Sequence, residues 1–267
     1  MVRNALLRRI PSTELQQVLS ASDTVPLVPR QVLHHYKLPM EHVYFVENGL
    51  VSVAAKIGPE KFTEVWLIGT DGMVGAPLAL AHNSEPLYRR TVQVGGDALR
   101  IASGPFRQML THLPNLQRLL SAYLSAVLVQ TSQAGACNAA HPLKQRLARW
   151  LLLARRGLES DAIPLTHSIL AQLLCVRRAS ITECLDHLER LALIRTDRGL
   201  IVVQNPGGLM SICCDCFRII EREYERQLAL SSTPDAGHDS VMVGRIEVTG
   251  AIGSDSLKSR DTPNGAS

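Results

Sequence analysis

Apolar residues recur with helical spacing in two short segments of residues 165–204, separated by the dipeptide Cys175-Val176. This spacing predicts two packed helices joined by a tight turn. The first helix would begin at Thr166, whose hydroxyl suits an N-cap, and the second would run from about Arg178 to Leu191. The shared apolar positions are Ile169, Leu170, Leu173 and Leu174 in the first helix and Ile181, Leu185, Leu188 and Ala192 in the second.

Two short apolar runs follow the second helix, on either side of Asp197-Arg198-Gly199. A glycine-containing turn between such runs, here 194–196 and 200–203, predicts a β-hairpin. Two helices and a hairpin in this order make a winged helix-turn-helix. From the pattern alone, a helical pair that only packs against other parts of the protein stays an alternative.

Basic and hydroxyl side chains cluster at the start of the second helix. In a helix-turn-helix these N-terminal residues meet base edges in the major groove, where an arginine can donate two parallel hydrogen bonds to guanine. Hydroxyl groups and the positive end of a helix suit phosphate. We therefore expect Arg178 to read bases, with Thr182 and Glu183 as further readers. The residues expected to contact phosphate are Thr166, His167, Arg177 and Ser180.

Short apolar runs separated by turn residues fill residues 25–103. Asn48-Gly49, Gly58–Lys61 and Gly95-Gly96 each lie between two such runs, and each therefore predicts a hairpin. Many short strands at this spacing predict a closed antiparallel β-sandwich or roll.

A broad apolar face predicts one long helix over residues 105–138. Helices that are apolar over such a width are buried, often against a second copy of themselves, although packing only within the chain is the alternative. Gly135-Ala136 and 138–140 would soften the end of the helix and act as a hinge. The apolar residues of this face are Leu116, Leu119, Leu120, Tyr123, Leu124, Val127 and Leu128.

The remaining pattern predicts two further helices and a tail. A helix from Pro142 to Gly157 would support the two reading helices and turn Arg146, Arg149 and Arg156 to solvent. A helix over 209–230 would contain the cysteine-rich stretch 213–216, whose thiols we expect to pack the helix because paired zinc-binding knuckles are missing. The segment 231–267 is rich in Ser, Gly, Asp and Thr, which predicts a disordered tail.

Composition narrows the class of protein. The chain has 267 residues, 46% of them hydrophobic and 19% charged, which is enough for a real core in one or two domains. A formal net charge of +4 is compatible with nucleic acid but is weak support for it. We find no nucleophile–base pair or phosphate-cradling loop and expect no enzymatic activity. Without a signal peptide or an apolar run of membrane-spanning length, we expect a cytoplasmic protein with no membrane partner.

Residues 165–204 resemble the DNA-binding domain of the Crp/Fnr family of bacterial transcription regulators in the motifs LT, LAQLL, RRAS, LIR and RGLIVV. The resemblance extends over about residues 5–225. It implies an α+β fold and a homodimer that binds a palindromic site in double-stranded DNA, with RNA polymerase as a further partner. The implied domains are a cyclic-nucleotide-binding-like β-roll over 1–104, a dimerisation helix over 105–138 and a winged helix-turn-helix over 139–230.

The pocket implied by this resemblance departs from the family pattern. Cyclic-nucleotide-binding members hold the ribose with a Glu that follows a Gly, whereas here Ala76 follows Gly75. An arginine followed by Ser or Thr holds the phosphate, and the matching residues can still hold an anion. We expect a pocket for an unknown small-molecule effector, or a β-roll that is only a scaffold. The residues of this pocket are Gly72, Gly75, Arg89, Arg90 and Thr91.

We expect no cofactor and no metal ligand. Fnr-type members place the cysteines of their iron–sulfur cluster near the N-terminus, and here no cysteine precedes Cys137. A haem needs an axial His or Cys, and a lone His is more often structural. The alternative function is a ligand-binding regulatory module that acts through protein partners rather than DNA, and its binding to nucleic acid would show no steep salt dependence.

Overall fold

The computed structural model describes residues 2–80 and 85–230 of the chain. The segment 231–267, for which we predict a disordered tail, lies outside these residues. Within the described ranges, no helix is long and apolar enough to cross a membrane. All six cysteines are described, and each is a free thiol.

The N-terminal half of the chain forms an antiparallel sheet of six strands around two long ones. β3 (His42–Gly58) and β6 (Tyr88–Ala102) pair along nearly their whole length. The shorter strands are β1 (Asp23–Leu27), β2 (Val32–His34), β4 (Lys61–Ile68) and β5 (Met73–Val74). The main path is β1-β6-β3-β4, with β2 paired to β6 and β5 paired to β3. This sheet is the predicted β-roll, and the predicted α+β fold class is confirmed.

Two of the three predicted hairpins are wrong. The chain does not reverse at Asn48-Gly49 or at Gly95-Gly96, because β3 and β6 continue through both points and pair on either side, with register shifts between them. Gly49 has φ +99, and a side chain at Gly96 would overlap the carbonyl group of Asn48. These glycines therefore mark β-bulges at which the two long strands bend together. The hairpin at Gly58–Lys61 is confirmed.

Two helices replace the single helix predicted over residues 105–138. α2 (Ser103–Leu110) closes one end of the roll, and α3 (Pro114–Ala140) is the long helix. α3 continues without interruption through the predicted hinge at 135–140, which is therefore wrong as a break. The chain leaves helical geometry only at His141, which is extended.

The start of α3 is set by a residue distant in the sequence. Glu14, in α1 (Ser12–Ser20), accepts hydrogen bonds from the backbone N–H groups of Asn115 and Leu116 at 3.2 and 2.9 Å. Pro114 occupies the first turn, where its missing N–H group costs no hydrogen bond. A carboxylate at the positive end of α3 thus begins the helix about ten residues later than local periodicity predicts.

Most of the apolar face of α3 is buried within the chain itself. Tyr123 packs edge-on against Tyr224, and the Tyr224 hydroxyl donates to the Gln130 side chain at 2.6 Å. Leu128, by contrast, is 67% exposed. The residues of the predicted face that are buried are Leu116, Leu119, Leu120, Tyr123 and Val127.

From residue 143 to residue 230, the end of the described chain, there are five helices and a three-stranded sheet of order β7-β9-β8. Both predicted reading helices and the predicted wing hairpin are confirmed. The elements are α4 (Leu143–Leu158), β7 (Ala162–Ile163), α5 (His167–Leu173), α6 (Arg178–Arg190), β8 (Ile194–Asp197), β9 (Leu200–Val203), α7 (Pro206–Ile212) and α8 (Cys216–Leu230).

The helix predicted over residues 209–230 is divided into α7 and α8. Asn205 caps α7 by accepting a hydrogen bond from the N–H group of Gly208 at 2.8 Å. Cys213 is extended and ends this short helix. The cysteine-rich stretch therefore lies in a turn between two helices and not within one.

α4 joins the roll to the helix-turn-helix through a close backbone contact. A side chain at Gly69 would overlap the backbone of Gly157, and the N–H group of Thr70 donates to the Gly157 carbonyl at 2.8 Å. The indole N–H of Trp150 donates to the Glu64 carboxyl at 2.7 Å. These contacts fix α4 against β4 and the turn that follows it.

The arginines of α4 do not face solvent, which corrects the sequence prediction. Arg146 donates to the carbonyl of Leu174 at 2.7 Å, and Arg156 pairs with Asp71 at 2.9 Å. Arg149 is buried. Because α4 is packed against the roll, α6 and α8, Arg146 and Arg156 find partners in other parts of the protein, whereas the Nε atom of Arg149 has none among the described residues.

Candidate DNA-reading surface and ligand cavity

Backbone geometry fixes the turn between α5 and α6. Cys175 adopts a left-handed conformation with φ +55, and the N–H group of Val176 donates to the Ala171 carbonyl at 3.0 Å. At the other end of α5, the Thr166 hydroxyl accepts a hydrogen bond from the N–H group of Ile169 at 3.3 Å. The predicted N-cap of the first reading helix is confirmed.

The N-terminal end of α6 is exposed and positively charged. Arg177 precedes the helix and makes no capping hydrogen bond through its side chain. Arg177 and Arg178 are both exposed, and no carboxylate of the described residues forms an ion pair with either of them. Two unpaired guanidinium groups beside an open helix N-terminus can bind phosphate and base acceptors.

Hydrogen bonds hold both ends of α6. The Thr182 hydroxyl lies 3.0 Å from the His167 ring and donates to the Arg178 carbonyl at 3.2 Å. Near the C-terminal end, Glu189 accepts from the N–H group and the hydroxyl of Thr196 at 2.8 and 2.7 Å. These bonds lower the pKa of Glu189. α6 is therefore tied to α5 at one end and to the wing at the other.

All the residues predicted to contact DNA lie on this helix-turn-helix. His167, Ser180 and Thr182 are half-buried, and the exposed members are Thr166, Arg177, Arg178 and Glu183. Sequence reasoning missed Arg195 and Arg198, which are exposed on the wing. The Asp-Arg-Gly turn that predicts the hairpin also places Arg198 at its tip. This position could have identified Arg198 as a candidate contact to DNA from the sequence alone.

A cavity of about 460 Å³ lies between the roll and α3, with Arg90 in its wall. Arg90 is 1% exposed, and its Nε and Nη1 atoms have no hydrogen-bond partner among the described residues. Burial lowers the pKa of Arg90 to about 10, so the side chain is still charged at neutral pH. Burial and the charge of Arg90 lower the pKa of His34 to about 4, so this neighbour is neutral.

The other walls of this cavity are largely apolar. Leu124, Val127 and Leu128 of α3 face Val53 and Trp66 of the roll. An apolar cavity with one buried, uncompensated cation has the properties of a site for a small organic anion.

The predicted five-residue pocket is not one cavity. Arg89 and Thr91 lie on the opposite face of β6 from Arg90, as strand alternation requires. They line a cleft of about 860 Å³ between the roll and α5, which Thr166 also lines. The Arg89 guanidinium stacks 4.0 Å from the centre of the Phe62 ring.

Residues 145–212 match a family model described as the Crp-like helix-turn-helix domain. This match covers the supporting helix, both reading helices, the wing and α7. The match identifies this part of the chain as a Crp-like helix-turn-helix domain. No curated protein sequence matches the chain.

Solved structures of Crp/Fnr regulators share this fold. FixK2 of Bradyrhizobium japonicum superposes with a TM-score of 0.62 at 13% identity, covering 72% of this chain and 98% of that chain. The c-di-GMP responsive regulator CLP of Xanthomonas campestris gives 0.59 at 16% identity, covering 72% and 99%. A CRP/FNR family regulator of Thermus thermophilus gives 0.57 at 22% identity, covering 71% and 97%. These likenesses concern the fold.

The two glycines predicted for the ligand pocket shape the backbone instead. A side chain at Gly72 would overlap the Tyr123 hydroxyl, and Gly75 has φ +94. Ala76 follows as a fully buried residue at the start of a short 3-10 helix. Ala76, the position that the resemblance matches to a ribose-binding carboxylate, therefore offers only a buried methyl group.

A second cluster of chemical groups lies at the junction between the long helix and the DNA-binding half. Cys137, His141, Cys214 and Cys216 bring their potential ligand atoms within 4.8 Å of one another. The sequence pattern indicated no metal ligand, because Cys137 and His141 are distant in the chain from the cysteine-rich stretch. The signal that could have found them is the sequence spacing of Cys137 and His141, four residues apart at the end of the predicted long helix.

Proposed function

We propose that the chain is a sequence-specific DNA-binding transcription regulator that acts as a homodimer, with α6 in the major groove. The observation that carries this proposal is the open N-terminal end of α6, where Arg177 and Arg178 are exposed and unpaired. Helix α6 is held at both ends, so these side chains are presented by a rigid element. Two-fold symmetry then predicts a palindromic site with half-sites about one helical turn of DNA apart.

The residues divide between base reading and phosphate contact. Arg178 and Glu183 are exposed and suit guanine and cytosine edges. Thr182 is also proposed to read bases, although its hydrogen bond with His167 makes both side chains positioning groups as well. The residues proposed to contact phosphate are Thr166, His167, Arg177 and Ser180, with the wing arginines Arg195 and Arg198.

The exposed face of α3 is the proposed dimer contact. Ser121, Ser125, Leu128 and Ser132 alternate at spacings of four and three along the helix and are exposed. This is the spacing of a coiled-coil seam, and small residues let two helices approach closely. Gly135 continues the stripe. The face differs from the buried one that periodicity predicts, since Leu128 alone belongs to both.

We propose that the cavity beside Arg90 takes the effector, and that this effector is a small organic anion. Leaving two guanidinium nitrogens of Arg90 buried without partners is unfavourable, and an anionic ligand would offset that cost. The missing carboxylate at Ala76 argues against a ribose held in the family manner. CLP responds to c-di-GMP, which is an anionic nucleotide. The first ligands to test are therefore anionic nucleotides whose binding does not require a contact to the ribose 2′-hydroxyl.

The DNA proposal is tested by selecting bound sequences from a random duplex pool with wild type, Arg178→Ala and Arg177→Ala. We expect wild type to enrich a palindrome, Arg178→Ala to lose preference at one position of each half-site, and Arg177→Ala to weaken binding to all sequences. Arg222→Ala, which removes an exposed arginine of α8, is the matched control and should behave as wild type. An unchanged preference in Arg178→Ala would refute the placing of the reading helix.

Salt dependence separates this proposal from a module that acts through protein partners. Each phosphate neutralised by an arginine steepens the fall of the binding constant with salt, so Arg177→Ala should reduce the slope by about one unit per subunit, or about two for the homodimer. A slope near zero for wild type would favour the protein-binding alternative.

A further inference from the structure

Four side chains with metal-binding atoms converge where α3 ends. Cys137 lies in the last turn of α3 and His141 directly after the helix, while Cys214 and Cys216 lie at the turn between α7 and α8. The Cys137 and Cys214 sulfur atoms are 3.5 Å apart, and the Cys216 sulfur is 3.4 Å from Nδ1 of His141. All potential ligand atoms of the four lie within 4.8 Å of one another.

These distances fit a single tetrahedral ion. Zinc–sulfur bonds of about 2.3 Å and zinc–nitrogen bonds of about 2.0 Å place ligand atoms about 3.5 to 3.8 Å apart along the edges of a tetrahedron. Side-chain shifts of a few tenths of an ångström to about 1 Å bring the cluster to that geometry. An iron–sulfur cluster would need room for several irons and sulfides between the thiolates, and this spacing leaves room for one ion.

We propose that Cys137, His141, Cys214 and Cys216 form a tetrahedral site for one thiophilic divalent cation, with Zn²⁺ as the expected occupant. Three thiolates and an imidazole select such cations over Mg²⁺ or Ca²⁺, which require oxygen ligands. Protein side chains would fill all four coordination positions of the ion, as in a structural zinc site, whereas a catalytic site leaves one position for water or substrate.

The surroundings support thiolate ligands. All three cysteines of the site are buried. The side-chain amide of Gln133 donates to the Cys216 sulfur at 3.2 Å, which orients a ligand from outside the coordination sphere. Three thiolates around Zn²⁺ carry a net charge of −1, and the buried cation of Arg149 stands nearby to balance it.

A disulfide between Cys137 and Cys214 is the competing outcome. Their 3.5 Å separation would also permit that bond after a small movement. A disulfide would involve only two of the four side chains and would not account for the contact between Cys216 and His141. The convergence of three thiols and an imidazole from separate segments therefore favours an ion.

The site would join three parts of the chain. His141 precedes Pro142 and α4, so the ion would fix the segment that connects the long helix to the DNA-binding half. Cys214 and Cys216 would attach the C-terminal helices to the same point. Loss of the ion should loosen this junction while leaving the β-roll intact.

The test measures the number of zinc ions per chain in the full-length protein. One sample is purified without a chelator, and a second is loaded with zinc after purification and then desalted. We expect close to one ion per chain in wild type. The ligand variants Cys137→Ser, Cys216→Ser and His141→Gln should bind zinc at least about tenfold more weakly. Cys213→Ser is the matched control, because it removes the neighbouring cysteine that is not one of the four ligands, and it should keep the ion.

Cobalt substitution gives a second readout that does not depend on the variants folding. Wild-type protein stripped by a chelator and titrated with Co²⁺ should show thiolate-to-cobalt absorption and the intense visible bands of a tetrahedral ion, and Zn²⁺ should abolish both. Failure of wild type to bind either ion near one per chain would overturn the site. A Cys137–Cys214 disulfide in the freshly purified protein, seen by mass spectrometry, or loss of the ion in Cys213→Ser, would overturn it equally.

Discussion

Glu64 is half-buried where β4 meets α4, its carboxyl Oε2 atom is buried, and we predict that this carboxyl group holds a proton at neutral pH. Its Oε1 atom accepts from Trp150, whereas its Oε2 atom has no hydrogen-bond partner among the described residues. Burial raises the pKa of Glu64 from 4.5 to about 8, and the Trp150 hydrogen bond and the Arg149 charge oppose this rise. The contact between the roll and the DNA-binding half therefore contains a neutral carboxylic acid.

The raised pKa makes stability depend on pH with a definite sign. Between about pH 4.5 and 8 the folded chain keeps a proton that the unfolded chain has released. The contribution is fully present below pH 4.5 and is lost as pH rises to 8. The free energy of unfolding should fall by about 1.4 kcal/mol per pH unit inside this window, or roughly 3 kcal/mol from pH 5 to 7.

Glu64→Gln tests this directly, because glutamine keeps an acceptor for Trp150 and removes the titration. His34, whose pKa burial lowers to about 4, gives a slope of the opposite sign from pH 4 to 6.5. Both proteins carry His34, so the difference between their pH profiles isolates Glu64. The assay is urea unfolding followed by tryptophan fluorescence at several pH values from 5 to 8, at one protein concentration.

We expect the variant to gain stability relative to wild type steadily as pH rises. Glu159→Gln, which changes an exposed carboxylate at the end of α4, is the control and should follow the wild-type slope. Parallel profiles for wild type and Glu64→Gln would refute the reasoning. They would mean that Glu64 is ionised in the folded protein and paired with the buried Arg149.

Two further predictions concern the backbone contact between Gly69 and α4 and the cavity between Arg90 and α3. Gly69→Ala should destabilise the protein by about 1 to 3 kcal/mol in denaturant titrations, because its methyl group would overlap the Gly157 backbone, whereas Gly207→Ala, at an exposed position of α7 with room for a methyl group, should be neutral or stabilising. Arg90→Met should weaken binding of anionic nucleotides in calorimetric titrations by at least about tenfold while leaving stability equal or higher; unchanged affinity would place the anion site elsewhere.

The helix-turn-helix could be predicted from the sequence because its determinants are local. The periodicity of Leu170, Leu173, Leu185 and Leu188 and the hydroxyl of Thr166 act within a few residues, and each does in the structure what its local pattern predicts. Consistency between cap, periodicity and turn is what makes such a segment readable.

The errors share the opposite cause, since each depends on groups far away in the chain. Gly49 and Gly96 have the local signature of hairpin turns, but each lies opposite a partner strand that continues past it. The start of α3 depends on Glu14, about one hundred residues earlier. Arg146 and Arg156 turn inward because a carbonyl and a carboxylate from other elements meet them. Local periodicity carries no information on such partners.

The same contacts restrict how a ligand signal could reach the DNA-reading helices. α3 forms one wall of the Arg90 cavity through Leu124 and Val127 and carries Cys137 in its last turn. α4 is held to the roll by the close contact between Gly69 and Gly157. If α5 and α6 move relative to α3, the chain must therefore hinge at the extended His141, and the contact between Gly69 and Gly157 must break. Tightly packed backbones change between discrete arrangements and do not deform continuously. The junction with its four proposed ligands and the contact between β4 and α4 would then both stabilise the fold and limit the movement of the reading helices.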